Sequence, residues 1–160
     1  WDISNKLSLG FNLQNVGPKV TYRKEADPLP TNLRLGVAAQ LYEDEFNDLK
    51  LSCDLSKTLV YRDSLGSDPI PTSLITGWKN KGVELGIGFE YWYKFNNLPL
   101  FALRGGYFAE PAKLGNRKYF TFGAGVKYNI FNIDMSFISP TEANHPLANT
   151  MRFSLLVDWK

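Results

Sequence analysis

The sequence predicts an all-β chain, an antiparallel β-barrel that crosses a membrane with its strands. Three observations predict it. Apolar residues recur at every second position through eight segments of the 160 residues. The connections between those segments alternate between short and long. The face opposite the apolar one mixes both charge signs with glycine.

The segments run in order along the chain. Residues 5–14 set Leu7, Leu9, Phe11 and Leu13 on one face, and residues 32–42 set Leu33, Leu35, Val37, Ala39 and Leu41 there. Residues 48–57 contribute Leu49, Leu51, Cys53 and Leu55. Residues 82–95 carry the longest row, from Val83 through Leu85, Ile87, Phe89, Tyr91 and Tyr93 to Phe95. Residues 99–109 add Phe101, Leu103 and Tyr107. Segments 118–128, 131–138 and 149–159 complete the set, the last with Met151, Phe153, Leu155, Val157 and Trp159. Each is near the ~9–11 residues that a tilted strand needs to cross a bilayer. No stretch reaches the ~18 uninterrupted apolar residues of a membrane helix.

Connections 15–31, 58–81, 110–117 and 139–148 are medium to long, and 43–47, 96–98 and 129–130 are short. Within 58–81, "SLITGW" is expected to form a brief helical turn. Short turns at one end and long loops at the other are the habit of outer-membrane barrels, with periplasmic turns and extracellular loops. A soluble sandwich with its apolar face inward shows the same alternation but has no reason to segregate loop lengths. Tyr42, Phe95, Tyr128, Phe131 and Trp159 gather near the short-turn end, as an aromatic girdle requires. The polar face then lines the lumen with Lys6, Arg34, Lys50, Asp54, Glu84, Glu90, Arg104, Lys127, Asp134 and Arg152.

Parity fixes the register. Apolar positions are even in 118–128 and odd in 131–138, which an even-length turn at Asn129-Ile130 demands. Tyr128 then faces Phe131, Val126 faces Ile133, Ala124 faces Met135 and Phe122 faces Phe137. Lys127 and Asp134 become diagonal neighbours on the other face. Around Asn96 the parity is unchanged, so a three-residue loop Asn96-Asn97-Leu98 is expected. That register sets Glu90 opposite Arg104 as an ion pair in the lumen. A two-residue loop would turn Arg104 toward lipid, at a cost of up to ~2–4 kcal/mol at mid-membrane.

Composition excludes several function classes. The formal net charge is +2 with no basic run, so no nucleic-acid partner is expected. One cysteine, Cys53, excludes an internal disulfide and a cysteine-based zinc site, and its apolar-face position argues against a reactive thiol. No catalytic, cofactor or metal constellation is present. His145, the one histidine, reads as a solvated loop residue rather than the base of a nucleophile. "FGAGV" at 122–126 lies inside a strand and lacks the Lys-Ser/Thr of a phosphate loop. "EDEF" at 43–46 reads as a solvated turn rather than a cation site, and Glu84, Glu90, Arg34 and Arg104 as ion pairing that fills a lumen rather than a transport path. The chain begins at Trp1, as a processed protein or a fragment does.

Several ordered segments carry a resemblance. They are "NVGPKVTYRKEADPLPTNLRLG" (15–36), "ELGIGFEYWY" (84–93), "ALRGGYF" (102–108), "YFTFGAGVKYNIFNIDMSFISP" (119–140) and "HPLANTMRF" (145–153). Together the chain strongly resembles the PorV family of the type IX secretion system of Bacteroidota, whose members have a FadL-like outer-membrane barrel. The resemblance implies a fourteen-stranded barrel, of which residues 1–160 would be the C-terminal portion, as one domain. Lys160 after Trp159 departs from the aromatic last residue usual in such barrels.

The resemblance also implies a role. A PorV-like protein is not an enzyme. It binds the C-terminal signal domain of exported cargo at the SprA/Sov translocon and shuttles it to the attachment complex that contains PorU. The extracellular loops would do this, with Tyr61, Trp78, Phe108 and His145 as candidate contacts by exposure and type. Two other readings stand beside it. One is a FadL-like outer-membrane transporter of hydrophobic small molecules. The other is a complete eight-stranded barrel with a structural role, which would require residues 5–14 to pair with 149–159.

Overall fold

All eight alternating segments form strands, and a ninth short strand joins them in one antiparallel sheet. The structure is a computed structural model that describes residues 1–22, 25–60, 62–63, 66–68, 71–79, 82–96, 98–142, 147–148 and 150–159. In chain order the elements are β1 (Asp2–Ser4), β2 (Leu7–Gln14), β3 (Val20–Tyr22), β4 (Glu25–Asp27), β5 (Asn32–Glu43), β6 (Asn47–Thr58), β7 (Arg62–Asp63) and β8 (Gly66–Ser67). Helix α1 (Thr72–Thr76) follows and runs into a 3-10 turn at Gly77–Lys79, the helical turn expected for "SLITGW". The remaining strands are β9 (Glu84–Phe95), β10 (Leu98–Ala109), β11 (Lys118–Tyr128), β12 (Phe131–Pro140) and β13 (Thr150–Val157). The sheet order is β1-β2-β5-β6-β9-β10-β11-β12-β13, so long strands consecutive in the chain are neighbours. Two small hairpins, β3-β4 and β7-β8, stand within the long connections.

Among the described residues the sheet is open, with β1 and β13 at its edges. The pairing of 5–14 with 149–159 that a complete eight-stranded barrel needs is absent there.

The hairpin at Asn129 has the register read from parity: Tyr128 pairs with Phe131, Val126 with Ile133 and Gly125 with Asp134. Asn129 takes a positive φ of 54°, which asparagine tolerates better than most residues. At Asn96 the strand bodies also pair as expected, with Tyr91 opposite Leu103 and Glu90 opposite Arg104. The connection differs from the three-residue loop. Leu98 already pairs with Phe95 and Pro99 with Lys94, and the register then shifts between Pro99 and Phe101. A bulge thus absorbs the residue assigned to the loop, and it restores the parity that keeps Arg104 beside Glu90. A second shift, between Gln40 and Tyr42, lets adjacent residues Leu41 and Tyr42 both stand exposed while Tyr42 pairs with apolar Leu49.

Burial is inverted relative to a sandwich. The buried apolar side chains are Leu59, Ala102 and Ile138 only, among the described residues. The alternating rows stay open: Phe11, Leu35, Phe89, Phe122, Ile133 and Phe153 are exposed, Phe153 at 70%. Tyr42, Phe95, Tyr128, Phe131 and Trp159 are exposed at the short-connection end of that face. No helix is long and apolar enough to cross a membrane.

Candidate functional site

The polar face is organised around Arg104, in the middle of β10. Pleating directs Arg104 and its β9 partner Glu90 to the same side, and Arg104 Nε donates to Glu90 Oε2 at 2.6 Å. The guanidinium has a second arm. Its Nη1 donates at 2.5 Å to Asp134 Oδ1 on β12, two strands away. Strands lie ~4.8 Å apart, so the side chain must cross β11. It can because β11 presents Gly123 and Gly125 to this face: Arg104 pairs with Gly123, and Gly125 pairs with Asp134. A Cβ on Gly125 would stand 3.0 Å from Arg104 Nη1 and collide with Asp134 Oδ1. The Arg104 guanidinium also lies 5.2 Å from the ring of Trp92, and Asn132 Nδ2 donates to Asp134 Oδ2 at 3.1 Å. One forked cation therefore ties β9, β10 and β12 together through charge-assisted bonds. The group has no nucleophile–base pair; chemically it positions strands.

A cleft of about 680 Å³ opens over this tie, floored by Gly86, Gly88, Gly106 and Gly123 and edged by Arg104 and Arg152. Phe108 and Tyr119 line it as a stacked pair, with ring centroids 5.0 Å apart.

The long-connection end is built by close packing rather than by a regular sheet. Thr31, 1% exposed, donates its hydroxyl to the Asn15 carbonyl at 2.9 Å, and its own carbonyl accepts the Leu59 amide at 2.8 Å. Gly77 sits against the Leu59 backbone so closely that no Cβ would fit. That contact seats the short helix on the end of β6, where Lys57 Nζ lies 5.4 Å from the Trp78 ring. In the connection after β10, the buried carboxylate of Glu110 accepts from Arg117 Nε, and this bond raises the Arg117 guanidinium above its ordinary range. Asn116 Nδ2 donates to Glu142 at 2.5 Å, joining this connection to the one after β12.

The residues singled out from the sequence separate accordingly. Glu90 and Arg104 meet. Trp78, in the 3-10 turn, is exposed at 58%, and Ile75, in α1, at 77%. Phe108 is not an exposed loop residue: it lies inside β10, half-buried against Tyr119, because the strand continues to Ala109. Tyr61 and His145 fall outside the described residues. Arg34 and Glu84 take no part in the Arg104 group. Arg34 stands between Asn12 and Ser56, and Glu84 also pairs with Ser56, far along the strands. Within "EDEF", Asp44 closes the turn: its Oδ1 accepts the Phe46 and Asn47 amides at 2.8 and 2.6 Å. Its Oδ2 accepts the Tyr42 hydroxyl at 2.8 Å. These bonds, the Tyr42 one foremost, outweigh desolvation and hold the carboxyl at about 2. Among the described residues no cluster of His, Cys, Asp and Glu could hold a metal ion. Periodicity and register do not pair Asp134 or Trp92 with Arg104. For Asp134 the signal is the Gly123-x-Gly125 gap on the polar face of β11; Trp92, on β9, has none.

No curated protein matches the chain. A protein-family model does: that of type IX secretion system protein PorV matches residues 2–64, from β1 through β7. The matched stretch contains "NVGPKVTYRKEADPLPTNLRLG", one of the segments that carry the resemblance. Over residues 2–64 the chain is thus similar to PorV of the type IX secretion system, which supports the family resemblance read from the sequence.

Proposed function

We propose that this chain is part of an outer-membrane barrel of the type IX secretion machinery, and that it carries cargo without enzymatic chemistry. The single observation behind the secretion role is the PorV match at residues 2–64. The membrane reading rests on the open apolar face. In water, each large side chain there would forgo about 1.5–3 kcal/mol of burial. Against lipid the same rows are solvated. The polar face then lines the lumen, the short connections after β5, β9 and β11 face the periplasm, and the long ones face outward.

On this reading the protein receives the C-terminal signal domain of an exported protein at the SprA/Sov translocon and passes it to the PorU-containing attachment complex. The exposed pair of Ile75 in α1 and Trp78 in the following 3-10 turn is the described surface best suited to a first contact. The test is affinity isolation of the full-length protein from the outer membrane of its Bacteroidota host, followed by mass spectrometry. Recovery of a translocon-sized partner and of secreted proteins sharing a C-terminal domain supports the reading. Absence from the outer-membrane fraction, or recovery of neither class, refutes it.

A second reading, a FadL-like transporter of hydrophobic small molecules, draws on the 680 Å³ cleft with its Phe108-Tyr119 stack. A lipid-like molecule retained by the purified protein in native mass spectrometry would favour it.

A further inference from the structure

We propose that a notch between two strand hairpins, at the short-connection end of the apolar face, seats one phospholipid of the periplasmic leaflet. The sheet itself shows the notch. β10 and β11 pair from Ala109 and Lys118 down to Phe101 and Val126, and no further among the described residues. Yet β10 begins at Leu98 and β11 runs on to Tyr128. Each strand stays paired there with its other neighbour, Leu98 with Phe95 and Tyr128 with Phe131. The two hairpin tips therefore part, and a space of about 490 Å³ opens between them. The bulge after Pro99 falls at the point of parting, where Leu100 has no direct partner on β9. A bulge bends its strand, and here it turns the start of β10 away from β11.

Phe95, Leu98, Leu100 and Tyr128 line the space, and Lys127 stands at its polar-face end. Phe95, Leu98 and Tyr128 are exposed, and Phe95 and Tyr128 belong to the aromatic girdle. Such girdles sit at the level of the lipid headgroups. The proposal rests on the membrane reading, which puts these residues at the depth where acyl chains meet headgroups. Sheet edges left open to lipid do not occur in the hydrocarbon region, so the unpaired lengths of β10 and β11 need a cover. Apolar walls disfavour water as that cover. An acyl chain suits them, and the space falls within the ~300–1,000 Å³ range of small-molecule pockets.

Charge selects the headgroup. Lys50, Lys94 and Arg104 stand near Lys127 on the polar face, and Glu43, Asp48, Glu90 and Asp134 match these four cations in number. With no net charge, the surroundings give an anionic headgroup no advantage, and a zwitterionic one such as phosphatidylethanolamine loses nothing. The notch shares no residue with the 680 Å³ cleft and lies at the opposite end of the strands from the loop surface of the carriage reading.

The test is photocrosslinking. A phosphatidylethanolamine with a photoactivatable acyl chain is titrated into neutral-detergent micelles of the full-length protein, and adducts are mapped by peptide mass spectrometry. Saturable labelling of 95–101 and 127–129 is expected, with one lipid bound per protein. Leu98→Ser should raise the half-saturating concentration about tenfold, equivalent to about 1.4 kcal/mol. Leu100→Trp, which fills the space, provides a second variant. Leu155→Ser, on the exposed apolar row of β13, should label as the parent does. Thermal melts of each variant separate lost binding from lost fold. Unlabelled phosphatidylglycerol should compete no better than unlabelled phosphatidylethanolamine. Labelling that never saturates, that spreads evenly over Phe89, Leu103 and Phe153, or that both notch variants leave unchanged would overturn the proposal, as would preferential competition by phosphatidylglycerol. A protein that elutes as a dimer and labels only as a monomer would assign the notch to a second copy instead. Absence of the protein from the outer-membrane fraction refutes the membrane reading, whereas an outer-membrane protein without saturable labelling refutes the notch alone.

Discussion

Placing alanine at two polar-face glycines, Gly125 and Gly10, is expected to move stability in opposite directions. Neither glycine has a positive φ, so the backbone accepts alanine at both. Loss of glycine's freedom in the unfolded chain stabilises each variant by about 0.4–1 kcal/mol. At Gly10 nothing opposes this, since the nearest atom to a new Cβ is the Gly36 carbonyl oxygen at 3.9 Å. At Gly125 the new Cβ overlaps Asp134 Oδ1 and crowds Arg104 Nη1. The Arg104–Asp134 bond must then lengthen or break. A hydrogen bond between charged groups contributes about 1.5–3 kcal/mol. The side chains of Arg104 and Asp134 are 31% and 27% exposed, so solvent screening favours the lower end, about 1.5–2 kcal/mol. The unfolded-state gain cancels in the comparison. Gly125→Ala should therefore fall about 1.5–2 kcal/mol below Gly10→Ala, more than tenfold in the folding equilibrium. Urea titration of the full-length protein in micelles, followed by tryptophan fluorescence, measures both midpoints at a common slope. Equal midpoints would refute the idea that the guanidinium crosses β11 over that glycine.

Three further outcomes are expected. Ile133→Arg, on the exposed apolar face, should destabilise the protein in phospholipid vesicles by about 2–4 kcal/mol, and Ser136→Arg, on the other face of the same strand, by under about 1 kcal/mol; similar losses would undo the assignment of faces. Asp44 should titrate near its depressed value of about 2, followed by carboxyl carbon NMR, and Tyr42→Phe should raise the midpoint toward 3.8. Because the folded value is lowered, the turn's contribution is complete above pH ~4, the ordinary carboxylate value, and is lost as pH falls through about 2; an unchanged midpoint in Tyr42→Phe would contradict this. Ile75→Ser with Trp78→Ser should lower cargo recovery in affinity isolation while shifting the urea midpoint little, since a Lys57–Trp78 contact is worth about 0.5–1 kcal/mol.

Side-chain alternation made the strands legible because a pleated strand has a period of two, and a shift of one residue exchanges the faces entirely. The Tyr128–Phe131 register and the Glu90–Arg104 opposition follow from that constraint together with the shortness of the two connections. Alternation is blind to features that leave the faces intact. The bulge after Pro99 and the two-residue turn cancel each other's parity, so together they look like the three-residue loop expected from the sequence. Phe108 lies within the 99–109 segment expected as a strand, and β10 does end at Ala109; its even position, on the polar face, turns its ring against Tyr119 in the cleft rather than out into the following loop. The third partner of Arg104 was hidden for a different reason. Asp134 is thirty residues away in sequence and two strands away in space, and its reach depends on side chains that β11 lacks. The membrane reading and the secretion role have different sources again: the first follows from which rows are left open, the second from family likeness.

The Arg104 tie has a consequence for how β11 can mispair. A slip by two residues keeps every apolar side chain on its own face, so hydrophobicity does not forbid it. Sliding one way would bring Lys127 to the position of Gly125, beneath a guanidinium, where two cations repel. Sliding the other way would bring Thr121 to the position of Gly123, whose Cβ would already lie 3.4 Å from Arg104 Cβ. The missing side chains thus act as a key: only one alignment of β11 lets the arginine pass, and an error that the greasy pattern would tolerate is rejected by charge and bulk.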